Sequence, residues 1–231
     1  WPKNIKIQLL RSLFLFISTI FFFYSISVIS LAEALTLAFV SPMIVTLLSS
    51  FILKEKVGLR RWSAVLIGFI GALIVIRPGF NEINLASITA LGCGICYAFY
   101  IIITRKLSNV DSPLLTLIFT GLTGAIVISL IIPLYWIWPT PKQWILLISL
   151  SAIGTFAHLL LIMSLNYAEA SKLAPLSYFE IVMNIWIGYY FFEDFPDKWI
   201  WLGLLVIISS GLYISIRENV KNKKIIKSAL H

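Results

Sequence analysis

Ser177, Glu180, Asn184 and Gly188 recur at i, i+3, i+7 and i+11 inside a stretch, 173–192, whose only charge is Glu180. That spacing puts all four on one face of a helix. A carboxylate held there can bind a cationic group or exchange a proton, and the serine and asparagine beside it can orient a ligand. An ionisable group inside an apolar span costs about 2.5–3.5 kcal/mol on insertion scales, so such a residue faces a bundle interior or water and carries a functional reading by default. The alternative is a structural carboxyl hydrogen-bonded to a neighbouring helix, and the sequence leaves both open.

His158 is the one histidine inside an apolar stretch. Ser151, Gly154 and Thr155 share its helical face, and a neutral imidazole can donate, accept and titrate near physiological pH. A packing histidine satisfied by one neighbour fits equally. Tyr97 and Tyr100 share a stripe with Cys93 and Thr104, where the rings could stack on a planar or cationic substrate or simply pack the core. Ser41, with Pro42 and Ser49, marks a possible bend with exposed carbonyls, or merely close helix approach. Glu180, Asn184, Ser177, His158, Tyr97, Tyr100 and Ser41 are therefore the candidate substrate-binding residues. Cys93-Gly-Ile-Cys96 has redox spacing but sits within an apolar helix, so small-residue packing is the reading. Thr116, Thr120 and Thr123 read as close packing beside Gly121 and Gly124. The sequence has no HExxH, no cluster with metal-ligand spacing and no GxxxxGK[ST] loop. No catalytic residue, cofactor or metal is expected, and no ATP-driven step.

The elements that must position these residues are apolar and long. The 231-residue chain is 60% hydrophobic and 12% charged. Uncharged windows run 12–32, 34–53, 62–76, 83–104, 112–141, 143–168 and 199–216, and 173–192 is broken by Glu180 alone. About 20 apolar residues cross a bilayer as a helix. Continuous apolar runs argue against a β-barrel, and lipid demands that every backbone group be satisfied within the span. The expected fold is all-α, a polytopic membrane bundle with eight transmembrane helices. Arg61 and Arg77 would snorkel to the interfaces to complete the short window 62–76.

A net charge of +8 suggests nucleic acid, but its distribution does not. All but three of the 18 lysines and arginines fall in one set of loops and tails, including Lys3, Lys6, Arg11, the group Lys54, Lys56, Arg60 and Arg61, then Arg105, Lys106, Lys172 and the tail from Arg217. The opposite set holds Arg77, Lys142 and Lys198 beside Glu33, Glu82, Glu193, Asp194 and Asp197. This is the positive-inside pattern and puts both chain ends in the cytoplasm, with Lys54, Lys56, Arg60 and Arg61 a topology signal rather than a ligand site. The partners implied are a lipid bilayer and a small molecule, not nucleic acid.

Landmarks repeat in order. Ala32-Glu33-Ala34 matches Ala168-Glu169-Ala170, Lys54-Glu55 matches Glu193-Asp194, and the ending at Arg77 matches the ending at Arg217. The shift is an odd number of spans, so the two copies face opposite ways, a device that places substrate at the repeat interface. The divisions are 1–80, a partial first repeat of three helices; 81–216, a second repeat of five; and 217–231, a basic cytoplasmic tail. Two helices are expected to be missing before residue 1.

Residues 31–80, with a proline in the second span, a Lys-Glu turn and a Gly-spaced third span, resemble the drug/metabolite transporter superfamily in its EamA-type branch. The ending FFEDFPDKWIWLGLLVIISSGLYISIRE is similar to the bacterial subfamily that includes S-adenosylmethionine and riboflavin importers. The resemblance implies helices three to ten of a ten-helix inverted-repeat secondary transporter in a bacterial inner membrane. One departure stands out: members often carry Glu-Pro in the ninth helix, where this chain has Glu180-Ile181. A non-transporting membrane scaffold or sensor and a membrane-embedded enzyme are the alternatives.

Overall fold

The computed structural model describes residues 2–29, 31–76, 85–134, 136–192, 198–210 and 212–213. Every regular element among them is helical: α1 (Ile5–Val28), α2 (Leu31–Ala38), α3 (Ser41–Ile52), α4 (Leu59–Ile76), α5 (Leu85–Leu107), α6 (Pro113–Ile131), α7 (Pro141–Tyr167), α8 (Ala170–Leu173), α9 (Phe179–Phe192) and α10 (Lys198–Ser210). A 3-10 turn at Ala174–Tyr178 joins α8 to α9. The landmarks Arg77, Glu193-Asp194 and Arg217, and the basic tail, lie outside the described residues.

Local chemistry sets the starts. The Asn4 side chain accepts from Ile7 N at 3.2 Å and opens α1. Ser112 followed by Pro113 opens α6. Thr140 and Gln143 form a reciprocal capping box around Pro141 at the start of α7. Proline is tolerated there because first-turn N–H groups have no intrahelical partner.

Among the described residues four helices, α1, α5, α6 and α7, are long and apolar enough to cross a membrane, while α3 and α10 are shorter apolar helices. The expectation of eight transmembrane helices is thus met only in part. Window 34–53 is two helices, α2 and α3, broken at Phe39 and Val40. Pro42 causes the break, since it cannot donate to the Ala38 carbonyl four residues back. Window 173–192 is likewise not one helix, because Pro175 lies in the 3-10 turn before α9.

The two breaks meet. The Tyr178 hydroxyl donates to the Phe39 carbonyl at 3.4 Å, and the two rings lie 5.9 Å apart. Around them Ala72, Ile181 and Ile207 form one buried cluster. A second cluster gathers Val45, Val65, Tyr100, Ile102 and Leu165 from α3, α4, α5 and α7. Lipid supplies no hydrophobic drive for helix association, so close approach and interhelical hydrogen bonds carry it. Ser18 donates to the Cys93 carbonyl at 3.0 Å, Ser25 to the Ala86 carbonyl at 3.0 Å and Ser210 to the Ala64 carbonyl at 2.7 Å. Gly94 of α5 admits the Ala38 carbonyl, which would lie 2.7 Å from any Cβ added there.

Arg11 corrects the loop reading. It lies within α1 and is fully buried. The helix begins at Ile5 because Asn4 caps it, so Arg11 is already past the first turn. Its Nε donates to Gln8 Oε1 at 3.2 Å, and its terminal nitrogens donate to Thr104 Oγ1 at 3.4 Å, the Thr116 carbonyl at 2.6 Å and Thr120 Oγ1. Gln8 Nε2 in turn donates to Asp111 Oδ2 at 2.9 Å. The guanidinium is delocalised and presents five donors, which suits it to a site rich in acceptors. Thr116 and Thr120, expected to serve only close packing, are two of those acceptors.

Candidate functional site

A cavity of about 290 Å³ lies between α1, α2, α3, α5, α7 and α9. Ser18, Thr19 and Phe22 of α1 line it, with Phe39 and Ser41 at the first break, Cys93, Gly94 and Tyr97 of α5, His158 of α7 and Glu180 of α9. Glu180 occupies the first turn of α9, directly after the 3-10 turn, and its side chain is exposed to this space. The break at Pro175 therefore places the carboxylate at a helix N-terminus, where the dipole favours negative charge.

The structure brings together four of the seven candidates: Glu180, His158, Tyr97 and Ser41. The other three divide differently. Tyr100 is fully buried and stands behind the cavity rather than in its wall. Its hydroxyl lies 3.4 Å from His158 Nδ1, and the two rings meet edge-on at 5.9 Å. Ser177 is exposed but lines a different, tighter space of about 40 Å³, together with Pro42, Val45, Ile101, Leu165 and Ala174. The side chain of Asn184 lies outside the described residues. Cys93 and Cys96 are free thiols, and Cys93 Sγ lies 3.3 Å from Ser18 Oγ.

The cavity offers one carboxyl group, a donor–acceptor ring, several hydroxyls and the aromatic rings of Phe22, Phe39 and Tyr97. That set can hold a small molecule with a cationic or hydrogen-bonding end and a planar apolar end. Among the described residues no three His, Cys, Asp or Glu side chains gather as a metal site would need. A separate groove of about 490 Å³ under Trp138 and Pro139 carries no ionisable lining residue.

Sequence reasoning missed a set of polar contacts on the basic face. Glu55 accepts from the backbone N–H groups of Ala170 and Ser171, both at 3.0 Å, and from Ser171 Oγ at 2.6 Å. It thereby caps α8, whose own N-cap residue Glu169 makes no side-chain cap bond. Arg61 pairs with Glu169 at 2.6 Å and donates to Ser171 Oγ at 2.9 Å, so it neither snorkels to headgroups nor serves topology alone. Lys172 reaches the other Glu169 oxygen at 3.1 Å. Partial burial pushes the Glu169 carboxyl up, but hydrogen bonds and charge from Lys172 and Arg61 outweigh it and hold the group below the usual carboxylate range. The available signal was the repeated Ala-Glu-Ala landmark at 168–170, which sits at a helix start.

A family model described as the EamA-like transporter family matches the chain twice, at residues 1–77 and 84–216. The S-adenosylmethionine uptake transporter of Rickettsia prowazekii is 28% identical over 92% of this chain and 72% of its own length. The riboflavin transporter of Vibrio cholerae is 31% identical over 83% of this chain and 65% of its own length. A solved crystal structure superposes with a TM-score of 0.80 at 18% identity, covering 93% of this chain and 77% of its own, which shows the fold.

Proposed function

The chain belongs to the EamA-like transporter family, and on that premise we propose that it is a secondary transporter carrying a small metabolite across a bacterial inner membrane. It is a transporter and not an enzyme, as the family and its named relatives indicate. The cargo occupies the cavity between α1, α5, α7 and α9. Glu180 engages its cationic or donor group, His158 and Ser41 complete the polar contacts, and Tyr97 and Phe39 flank its planar part. Asn184, farther along α9, adds a further contact, and Ser177, which lines the narrow space beyond, meets the cargo only when that space widens during the cycle.

Transport proceeds by alternating access of two inverted repeats, residues 1–80 and 81–216, with both chain ends cytoplasmic. The double match of one family model supports the repeat. The interrupted helices at Pro42 and Pro175, which meet beside the cavity, fit a site built from discontinuous spans. Movement follows the substrate gradient, an exchanged solute or protons.

The observation that carries the proposal is the convergence of Glu180, His158, Tyr97 and Ser41 on one cavity from four different segments. S-adenosylmethionine and riboflavin head the panel of solutes to test. The protein in proteoliposomes should take up or release one of a panel of radiolabelled metabolites, and Glu180→Gln should lower its kcat/KM by about ten-fold or more, the scale of a lost charge-assisted contact. Transport by the parent that Glu180→Gln leaves untouched removes Glu180 from the site.

A further inference from the structure

Four helical segments pass from the cavity toward the basic face, and each shows the same three layers in the same order. On α3 the order is Ser41, Val45 and then Glu55 in the loop beyond. On α5 it is Tyr97, Ile101 and Arg105. On α7 it is His158, Leu165 and then Glu169. Running the other way, it is Glu180, Ala174 and Ala170. The first layer is the cavity. The second is a narrow, mostly apolar neck, shared at its cavity end with Ser41 and Tyr97 and lined also by Ser177, that encloses about 40 Å³, room for a few waters at most and not for a metabolite. The third is the ion cluster.

The cluster joins the two matched halves of the chain. Glu55 and Arg61 belong to residues 1–77, while Arg105, Glu169, Ser171 and Lys172 belong to 84–216. Arg105 Nε lies 3.7 Å from Glu55 Oε1, and Arg105 Nη1 also donates to the Leu165 carbonyl at 2.6 Å. The loop that presents Glu55 turns through Lys54, held at φ 54°, a left-handed conformation that a lysine adopts only under constraint.

Two polar knots therefore sit on this side, with different physics. The Arg11 knot is fully buried and lies wholly between α1, α5, α6 and the α5–α6 loop, so opening it strands a charge out of water. The Glu55–Arg61 cluster has Glu55 and Arg61 buried within it but borders solvent through Glu169, 34% exposed, and Lys172, 28% exposed, so water reaches its edge and can rehydrate the pair Arg61–Glu169 from the carboxylate side when it parts. The second therefore parts at lower cost than the first, because part of it already meets water.

We infer that the cluster of Glu55, Arg61, Arg105, Glu169, Ser171 and Lys172 is a latch between the halves. It is closed when the cavity is sealed from the basic face, and its parting opens the neck at Val45, Ile101 and Leu165. This inference rests on the transporter reading above.

The test reads access without needing the cargo. A Ser177→Cys change is made in a Cys93→Ala, Cys96→Ala background, since residue 177 lines the neck. A membrane-impermeant sulfonated maleimide is applied to vesicles of each orientation. The parent should label slowly from the basic face. Arg61→Gln or Glu55→Gln should raise that rate about five-fold or more, as expected for loss of about one kcal/mol from an interaction that holds one state. The exchange Arg61→Glu with Glu169→Arg should restore slow labelling. Equal rates from the basic face in parent and Gln variants overturn the latch, as does a rise from both faces alike, which reports a loosened fold. Should Arg61→Gln fail to insert, Glu169→Gln on the more exposed partner decides by the same rates. A labelling shift in a protein that transports nothing on the panel keeps the latch and counts against the cargo reading. Transport with no shift does the reverse.

Discussion

The Arg11 guanidinium carbon sits 5.1 Å from the centroid of the Tyr100 ring, and the hydroxyl of the same tyrosine reaches within 3.4 Å of His158 Nδ1. A cation buried in α1 thus backs the ring that touches a cavity wall on α7. Asp111 balances the charge at one remove, through Gln8.

Arg11→Lys keeps the charge and removes the fork. An ammonium carries three donors on one nitrogen, whereas the guanidinium reaches Gln8, Thr104, the Thr116 carbonyl and Thr120 from three separate nitrogens and also stacks as a plane on Tyr100. The expected loss is about 1–3 kcal/mol, the range for hydrogen bonds to a buried charge. It reads as a lower thermal midpoint of the purified protein in detergent. An unchanged midpoint would show the buried network to be idle.

Gly94→Ala tests the approach of α2 to α5. The new Cβ would lie 2.7 Å from the Ala38 carbonyl oxygen and 2.9 Å from Val40 Cγ1. The first neighbour is backbone and cannot rotate away, so α2 must shift, at about 1–3 kcal/mol. Gly121→Ala and Gly154→Ala meet nothing within 4 Å and serve as controls with unchanged or slightly raised midpoints. A Gly94→Ala midpoint equal to the controls would rule out this close contact.

Glu169 predicts a pH dependence. Its carboxyl lies below its ordinary value of 4.5, because Lys172 and Arg61 more than offset the effect of partial burial. A folded value below the unfolded one stabilises the protein wherever the unfolded group is charged, and that contribution is lost as pH falls through the folded value. The gap in thermal midpoint between parent and Glu169→Gln should be constant from about pH 5.5 to 8 and should close below about pH 4.5. A gap that persists at the acid end would assign the effect to packing rather than to charge.

Much of the fold was legible because apolar length and proline are local signals. The windows around residues 12–32, 83–104, 112–141 and 143–168 correspond to α1, α5, α6 and α7. Pro42, read as a possible bend, marked a real interruption and Pro175 lies at a second, although the windows themselves did not show that a run without charge can still be two helices. Glu180, His158, Tyr97 and Ser41 were legible as polar groups on faces, since helical period projects from sequence. For Tyr100 the two open readings divided as packing: it shares the stripe of Tyr97, but its buried ring lies beneath Arg11. Arg11 and the Glu55–Arg61 contacts were illegible for a different reason. A basic residue near a span end looks the same in sequence whether it meets water, lipid headgroups or a carboxylate more than 100 residues away, as Arg61 meets Glu169. The notable exception in the other direction is Asn4, whose capping role shows that the helix starts before Arg11.

The Tyr178 hydroxyl resting on the Phe39 carbonyl has a mechanical meaning. Each interrupted span could flex at its own proline, but a strut between the two bends makes them share a load. A displacement at one joint is therefore passed to the other, and the two bends form a coupled pair rather than independent hinges.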